Sequence, residues 1–258
     1  MGGLSVLKAL RNALPQENFV YVADSAHAPY GNQPHRFIEQ RASAMVQFLH
    51  MVGTKAIVVA CNTATVIAVE ALRSACALPI VAMEPAIKPA VLMTKSGIIG
   101  VLATARTLES AMIAKLCHQY GQALRIILMP CPGLVEQVER GDLASAATRA
   151  LLAQYIDPLL AQGADTIVLG CTHYVFLASL IRELVGPAVA IVESSAAVAR
   201  QLQRRIDPAA TSNSADERGQ VRFFTTGSSV QARDLFSRLW GAVVNVQSVA
   251  DYGSPATL

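Results

Sequence analysis

The chain has 258 residues, enough for two compact α/β lobes that each bury an apolar interior. Hydrophobic residues make up 53% and charged residues 15%, with a mean hydropathy of +0.40, yet the most apolar stretch, residues 56–72, carries Asn62, Thr63, Thr65 and Glu70 and reads as strand, turn and helix, so no membrane partner is expected. The formal charge of +3 is spread without a Lys/Arg cluster, which gives no nucleic-acid signature, and five cysteines without a C-x-x-C pair fit reduced thiols in a cytoplasm.

Leu4, Leu7 and Leu10, with Ala13 and Leu14, recur at helical spacing and predict an opening helix that Pro15 stops, ahead of a strand over residues 19–23. Ile38, Ala42, Met45, Val46 and Leu49 mark a second helix, followed by Gly53 and a strand over 56–60. Beyond Cys61 an Ala-rich helix runs to Ala75, and a short strand over 79–82 precedes the proline-punctuated residues 83–89, read as a crossing between lobes. The second lobe is expected to hold strands over 98–103, 124–128, 166–169 and 189–192, with helices over 108–120, 134–139 and 145–161 between them. After a helix over 195–205, residues 212–219 read as a polar loop. A strand over 221–225, a helix over 230–239 and a strand over 243–246 then complete the first lobe.

Strands alternate with helices throughout, which predicts an α/β fold of two doubly wound parallel-sheet lobes related by pseudo-symmetry, with the active site in the cleft between them. Residues 1–84 plus 201–258 form the first lobe in this reading, and 85–200 the second.

Residues 53–63 (GTKAIVVACNT) and 163–173 (GADTIVLGCTH) carry the same device twice: an apolar strand runs out at a small residue and then at a cysteine, followed by polar side chains. Ligands of open α/β sheets sit beyond the carboxyl ends of strands, so Cys61 and Cys171 are presented where a ligand would lie. Inverting an α-carbon requires a proton to leave one face and another to arrive on the opposite face, and two thiols facing each other suit that chemistry. A helix N-terminus after each cysteine is expected to lower its pKa. Asn62, Thr63, Thr172 and His173 are placed to hold a carboxylate while charge develops. A strand-end cysteine taken alone reads as a small buried hydrophobe, and Cys76, Cys117 and Cys131 keep that reading. His173 lacks a second ligand at metal spacing, so no metal is expected. Cys171 with His173 also admits a thiol hydrolase, which leaves Cys61 unexplained.

These motifs resemble the glutamate racemases across nearly the whole chain. Cys61-Asn62-Thr63 and Gly170-Cys171-Thr172-His173-Tyr174 look like the family's two catalytic cysteine motifs, and Asp24 followed by Pro29-Tyr30-Gly31 resembles its substrate-binding Asp…Pro-Tyr-Gly segment. Gly100-Val101-Leu102-Ala103-Thr104 with Thr107, Cys131-Pro132 followed by Glu136, and Phe223-Phe224-Thr225-Thr226-Gly227 are further matches, the last with Ser228 where the family usually has Asp. The resemblance implies interconversion of L- and D-glutamate for peptidoglycan synthesis with no cofactor, in a homodimer. Cys61 would take the α-proton from D-glutamate and Cys171 from L-glutamate, with His173 assisting. Tyr30, Gly31, Asn62, Thr63, Thr104, Thr172 and His173 would bind the amino acid, and Glu136 would support the site. Racemisation of another amino acid such as aspartate, or a gyrase-binding role, are the alternatives. Where the family has a strand ending in Asp-Ser-Gly-x-Gly-Gly, this sequence has Met1-Gly2-Gly3. The expectation is that this strand belongs ahead of Met1, and that the chain without it is weakly active and poorly stable.

Overall fold

The computed structural model of the protein describes residues 1–121, 123–206 and 217–251, so most of the expected polar loop, residues 212–216, lies outside the described residues. The first lobe opens with α1 (Gly3–Ala13), β1 (Phe19–Ala23), α2 (His35–Met51), β2 (Ile57–Val59), α3 (Asn62–Ala75) and β3 (Ile80–Ala82). The second holds α4 (Ile87–Met93), β4 (Ile98–Ala103), α5 (Ala105–Leu108), α6 (Ala111–Tyr120), β5 (Arg125–Pro130), α7 (Leu134–Glu139), α8 (Ala146–Ala161), β6 (Thr166–Leu169), a short 3-10 helix (Tyr174–Leu177), α9 (Ala178–Val185) and β7 (Ala190–Val192). The chain then returns through α10 (Ser195–Arg205), β8 (Val221–Thr225), α11 (Ser229–Trp240) and β9 (Val246–Ser248).

All described strand pairs are parallel. The second lobe has one sheet in the order β5-β4-β6-β7, while the first has β1-β8-β9 and a separate pair, β2-β3. In the larger sheet Val101 of β4 stands between Leu128 of β5 and Val168 of β6. Successive residues of a strand point to opposite faces. Ile99, Val101 and Val168 accordingly pack with Ile87, Ala90 and Ile113 of α4 and α6, while Leu102, Ile167 and Leu169 pack with Leu152, Ile156 and Leu159 of α8. Helices therefore cover both faces, which is why these strands read as continuous apolar runs.

Four details differ from expectation. Residues 87–93 form a helix despite Pro89, which sits in the first turn, where its missing N–H is not needed. The helix expected over 108–120 is two, because Ser110 breaks the run and accepts the N–H of Ile113 at 3.3 Å to start α6. The last strand begins at Val246, since the N–H of Val244 is held by Ser237 Oγ at 3.1 Å, at the end of α11. Finally, α10 packs as a unit on the first lobe, with Val198, Ala199 and Leu202 against Val6, Leu10, Val81 and Met83.

Gly170, between β6 and Cys171, has no room for a side chain: an added Cβ would lie 2.9 Å from Ala103 Cβ and 3.0 Å from the carbonyl oxygen of Leu102. Gly170→Ala is expected to lower stability by about 1–3 kcal/mol in a urea titration, as overpacking does, and an unchanged midpoint would count against this packing.

Candidate active site

The second sheet winds outward in both directions from β4 and β6, so the crevice beyond the carboxyl ends of these two strands is its natural ligand position. Thr104 follows β4 there and Cys171 follows β6, while β2 of the first lobe brings Cys61 to the same place. Tyr30, Gly31, Cys61, Thr63, Thr104, Cys171, Thr172 and His173 all line one cavity of about 220 Å³. Asn62 stands behind it instead: its side chain is buried, and Oδ1 has no hydrogen-bond partner among the described residues.

Hydroxyl groups tie the two lobes together at the cavity. Thr172 Oγ1 donates to the carbonyl of Ala60 at 3.3 Å, joining the residue after one cysteine to the residue before the other. Thr63 and Thr104 share a hydrogen bond of 3.0 Å, and Thr104 shares another of 3.0 Å with the buried Thr107. Thr104 also caps α5 by accepting the N–H of Thr107.

The two cysteines are not equivalent. Cys61 caps α3, its sulfur accepting the N–H of Ala64 at 3.5 Å. Cys171 does not open an α-helix; a turn carries the chain from it into the 3-10 helix at Tyr174. The expected lowering of both pKa values is overturned. Burial pushes the Cys61 thiol up despite the backbone donors of Ala64 and Thr63. Burial likewise pushes Cys171 up to about 12, against the N–H of His173 and with the charge of Cys61 adding to the rise. Desolvation of a thiolate here outweighs the donors that sequence makes visible.

His173 stands between Cys171 and a carboxylate. Its Nδ1 lies 3.7 Å from Cys171 Sγ and its Nε2 lies 2.6 Å from Glu139 Oε1. The network assigns the proton to Nε2, donated to the carboxylate, and leaves the Nδ1 lone pair facing the thiol. The N–H of Gly2, 3.1 Å from the same Nε2, takes second place to that charge-assisted bond. Burial lowers the pKa of His173, Glu139 opposing it, so the ring is neutral at pH 7. Burial would raise Glu139, but the His173 bond and the Met1 ammonium at 2.6 Å outweigh it and bring the carboxyl to about 2. Glu136 makes no hydrogen bond to the site among the described residues, and its charge acts to raise the His173 pKa. The carboxylate in hydrogen-bond contact with His173 is Glu139, one turn further along α7 than Glu136.

Tyr30 is held from behind. Its hydroxyl donates to Asp24 Oδ2 at 2.5 Å, and Asp24 also receives Arg41 Nε and Nη2 at 2.9 and 2.8 Å and Thr226 Oγ1 at 2.8 Å. Burial acts to raise the Asp24 carboxyl, yet Arg41, Tyr30, Thr226 and His27 together bring it to about 2. The Thr225-Thr226 segment therefore serves the site from the far end of the chain, with Ser25 and Thr225 also hydrogen-bonded. Arg41 sits in an ordinary helical pattern, so only the structure reveals its part.

Among the described residues no group of three His, Cys, Asp or Glu side chains could hold a metal ion, and no helix is long and apolar enough to cross a membrane.

The class this fold and site define is the Asp/Glu/Hydantoin racemase family, whose sequence model matches residues 3–202. The chain is 49% identical over 247 residues to the glutamate racemase of Methylococcus capsulatus, covering 96% of this chain and 91% of that protein. It is 47% identical to that of Pseudomonas putida strain F1, covering 97% and 94%. The crystal structure of glutamate racemase isoform RacE1 from Bacillus anthracis superposes with a TM-score of 0.85 at 32% identity, over 96% of this chain and 93% of that one. The Escherichia coli glutamate racemase, solved with L-glutamate and the activator UDP-MurNAc-ala, gives a TM-score of 0.82 at 28% identity, over 96% and 93%. The chain belongs to the Asp/Glu/Hydantoin racemase family and, within it, to the glutamate racemases.

Because Glu139 is held near 2 against an ordinary 4.5, its ionised form favours the folded state above about pH 4.5, and that contribution is lost as pH falls towards 2. Glu139→Gln should therefore show a flatter fall of unfolding free energy between pH 5 and 2 than the parent chain. Parallel profiles would show that the His173–Glu139 bond carries no such linkage.

Proposed function

We propose that the protein interconverts L- and D-glutamate by proton transfer between two thiols, Cys61 and Cys171, without a cofactor, supplying D-glutamate for peptidoglycan. The carrying observation is that a thiol from each lobe lines the same small cavity, one beside a helix N-terminus and the other beside a histidine–carboxylate pair.

In the L to D direction His173 Nδ1 takes the proton of Cys171, and the imidazolium formed is balanced by Glu139. The Cys171 thiolate removes the α-proton of L-glutamate, the C–H electron pair passes into the substrate carboxylate as a planar intermediate, and the Cys61 thiol donates its proton to the opposite face. Cys61 leaves as thiolate stabilised by the N–H of Ala64; it regains a proton from water as His173 releases one. From D-glutamate the cysteines exchange roles. Thr63, Thr104 and Thr172 offer hydroxyl groups to the substrate carboxylates, and Tyr30-Gly31 forms the lip of the cavity. Fixed donors of this kind favour the charge that develops in the transition state. Neutral resting thiols suit the reaction, since each must give a proton in one direction and accept one in the other.

Action in the cytoplasm agrees with unpaired cysteines, all five of which are free. Assembly as a homodimer rests on the family resemblance.

Cys61→Ser and Cys171→Ser each replace a thiol by a far weaker acid and base. Each is expected to lower kcat by about 10²–10⁴-fold or more in both directions, followed by circular dichroism of glutamate. Turnover at the parent rate in either variant would defeat the two-thiol reading. L-aspartate should racemise much more slowly than L-glutamate; the reverse order would favour the aspartate alternative.

A further inference from the structure

Asp24 carries the lip of the cavity, and Arg41 carries Asp24. The carboxylate follows β1 and lines the cavity with Tyr30 and Gly31, whereas Arg41, on α2, stands outside the lining residues. The guanidinium meets the carboxylate as a fork, Nε donating to Oδ2 at 2.9 Å and Nη2 to Oδ1 at 2.8 Å. Two parallel bonds fix the plane of a carboxylate as well as its position. Oδ2, held in that plane, accepts the Tyr30 hydroxyl at 2.5 Å, while Oδ1 also accepts Thr226 Oγ1 at 2.8 Å and lies 2.8 Å from His27 Nδ1. The Asp24 and Arg41 side chains are 7% and 23% exposed, so the pair is shielded from the water that weakens ion pairs on open surfaces. The turn Tyr30–Asn32 anchored by this hydroxyl rests on α3 of the first lobe and α5 of the second. Gly31 makes the second contact, since a Cβ built there would stand 3.5 Å from Thr104 Cβ. Thr104 is in turn bonded to Thr63, so the lip closes over hydroxyl groups of both lobes.

We propose that Arg41 is a positioning residue for the substrate: through Asp24 and Tyr30 it holds the Tyr30-Gly31 lip in its seat on Thr104, and so sets the affinity of the cavity for the amino acid without touching it. The inference rests on the proposed reading of this cavity as a glutamate site. A lip free to swing would have to be ordered each time substrate binds, and that ordering subtracts from affinity. The other partners of Asp24 do not replace the fork. Thr226 and His27 both reach Oδ1, so without Arg41 the Oδ2 that faces Tyr30 keeps no second donor among the described residues. A lysine does not replace it either, because an ammonium supplies the charge but not two parallel N–H groups in one plane. The lip takes no part in proton transfer, so losing the fork falls on KM rather than on kcat.

The test compares Arg41→Met, Arg41→Lys, Tyr30→Phe and the double variant Arg41→Met/Tyr30→Phe with the parent chain. It reads KM and kcat for L- and D-glutamate, and hydrogen exchange of the lip amides of Ala28 and Gln33, which bond to the carbonyls of Asp24 and Tyr30. Arg41→Met is expected to raise KM by about 10-fold, to change kcat by less than about threefold, and to speed both amides by about 10-fold in the substrate-free protein. Arg41→Lys, which keeps the charge and loses the fork, should raise KM by about threefold. Tyr30→Phe should match Arg41→Met, and the double variant should be no worse than Tyr30→Phe alone, because both changes cut the same chain of contacts. A lower Tm with KM and the lip amides at parent values would make Arg41 merely structural and overturn the proposal. Rises in KM that multiply in the double variant would mean that Arg41 acts by its charge and not through Tyr30, and would overturn it equally. Should Arg41→Met fail to fold, Arg41→Lys and Tyr30→Phe decide by the same readouts: raised KM with faster amides supports the proposal, and parent values of both reject it. A parent chain that turns over no glutamate contradicts the proposed function instead. The substrate-free amide rates then still decide whether Arg41 holds the lip, faster ones supporting it and unchanged ones rejecting it.

Discussion

Two strand ends from different sheets must face one cavity, and the bond from Thr172 Oγ1 to the carbonyl of Ala60 holds them there. It ties the backbone beside Cys61 to the side chain beside Cys171, so the separation of the thiols is set by the packing of both lobes rather than by a loop. The Thr63–Thr104 bond does the same at the other side of the cavity. Groups on rigid strand ends lose little freedom on meeting substrate, which is the condition for efficient proton transfer.

Desolvation of the thiols raises their pKa values, and the two halves of the site offset this differently. Cys61 has the amino end of a fourteen-residue helix, a fixed array of N–H donors. Cys171, followed only by a turn and a 3-10 helix, has instead a neutral imidazole backed by a buried carboxylate. In the proposed reaction one thiolate is stabilised where it stands, and the other thiol passes its proton to a neighbour. On that proposal the two directions of the reaction draw on different parts of the protein, although the strands that carry the cysteines are alike.

Much of this was legible in the sequence where burial is complete. β4, β6, α7, α10 and β8 fall on the expected residues because apolar runs or helical patterns end sharply at Gly, Ser or Thr. The helix at Pro89 was hidden because a proline in a first turn looks the same as one in a loop. Choosing between Glu136 and Glu139 needs the rotation of a six-residue helix against His173, and residues three apart share a face. The Asp24 cluster joins residues 24, 30, 41 and 226, a meeting that only tertiary folding produces. The direction of the cysteine shifts was misread for a related reason: the capping donors are local and visible, whereas the desolvation that outweighs them comes from the whole fold.

The central claim is that the proton removed from one face and the proton delivered to the other belong to different thiols. Early in a reaction run in deuterium oxide from either enantiomer, this account predicts deuterium at the α-carbon of the product and not in the remaining substrate, read by mass spectrometry after chiral separation. Exchange of the remaining substrate as fast as product forms would mean that one group serves both faces, and would contradict it.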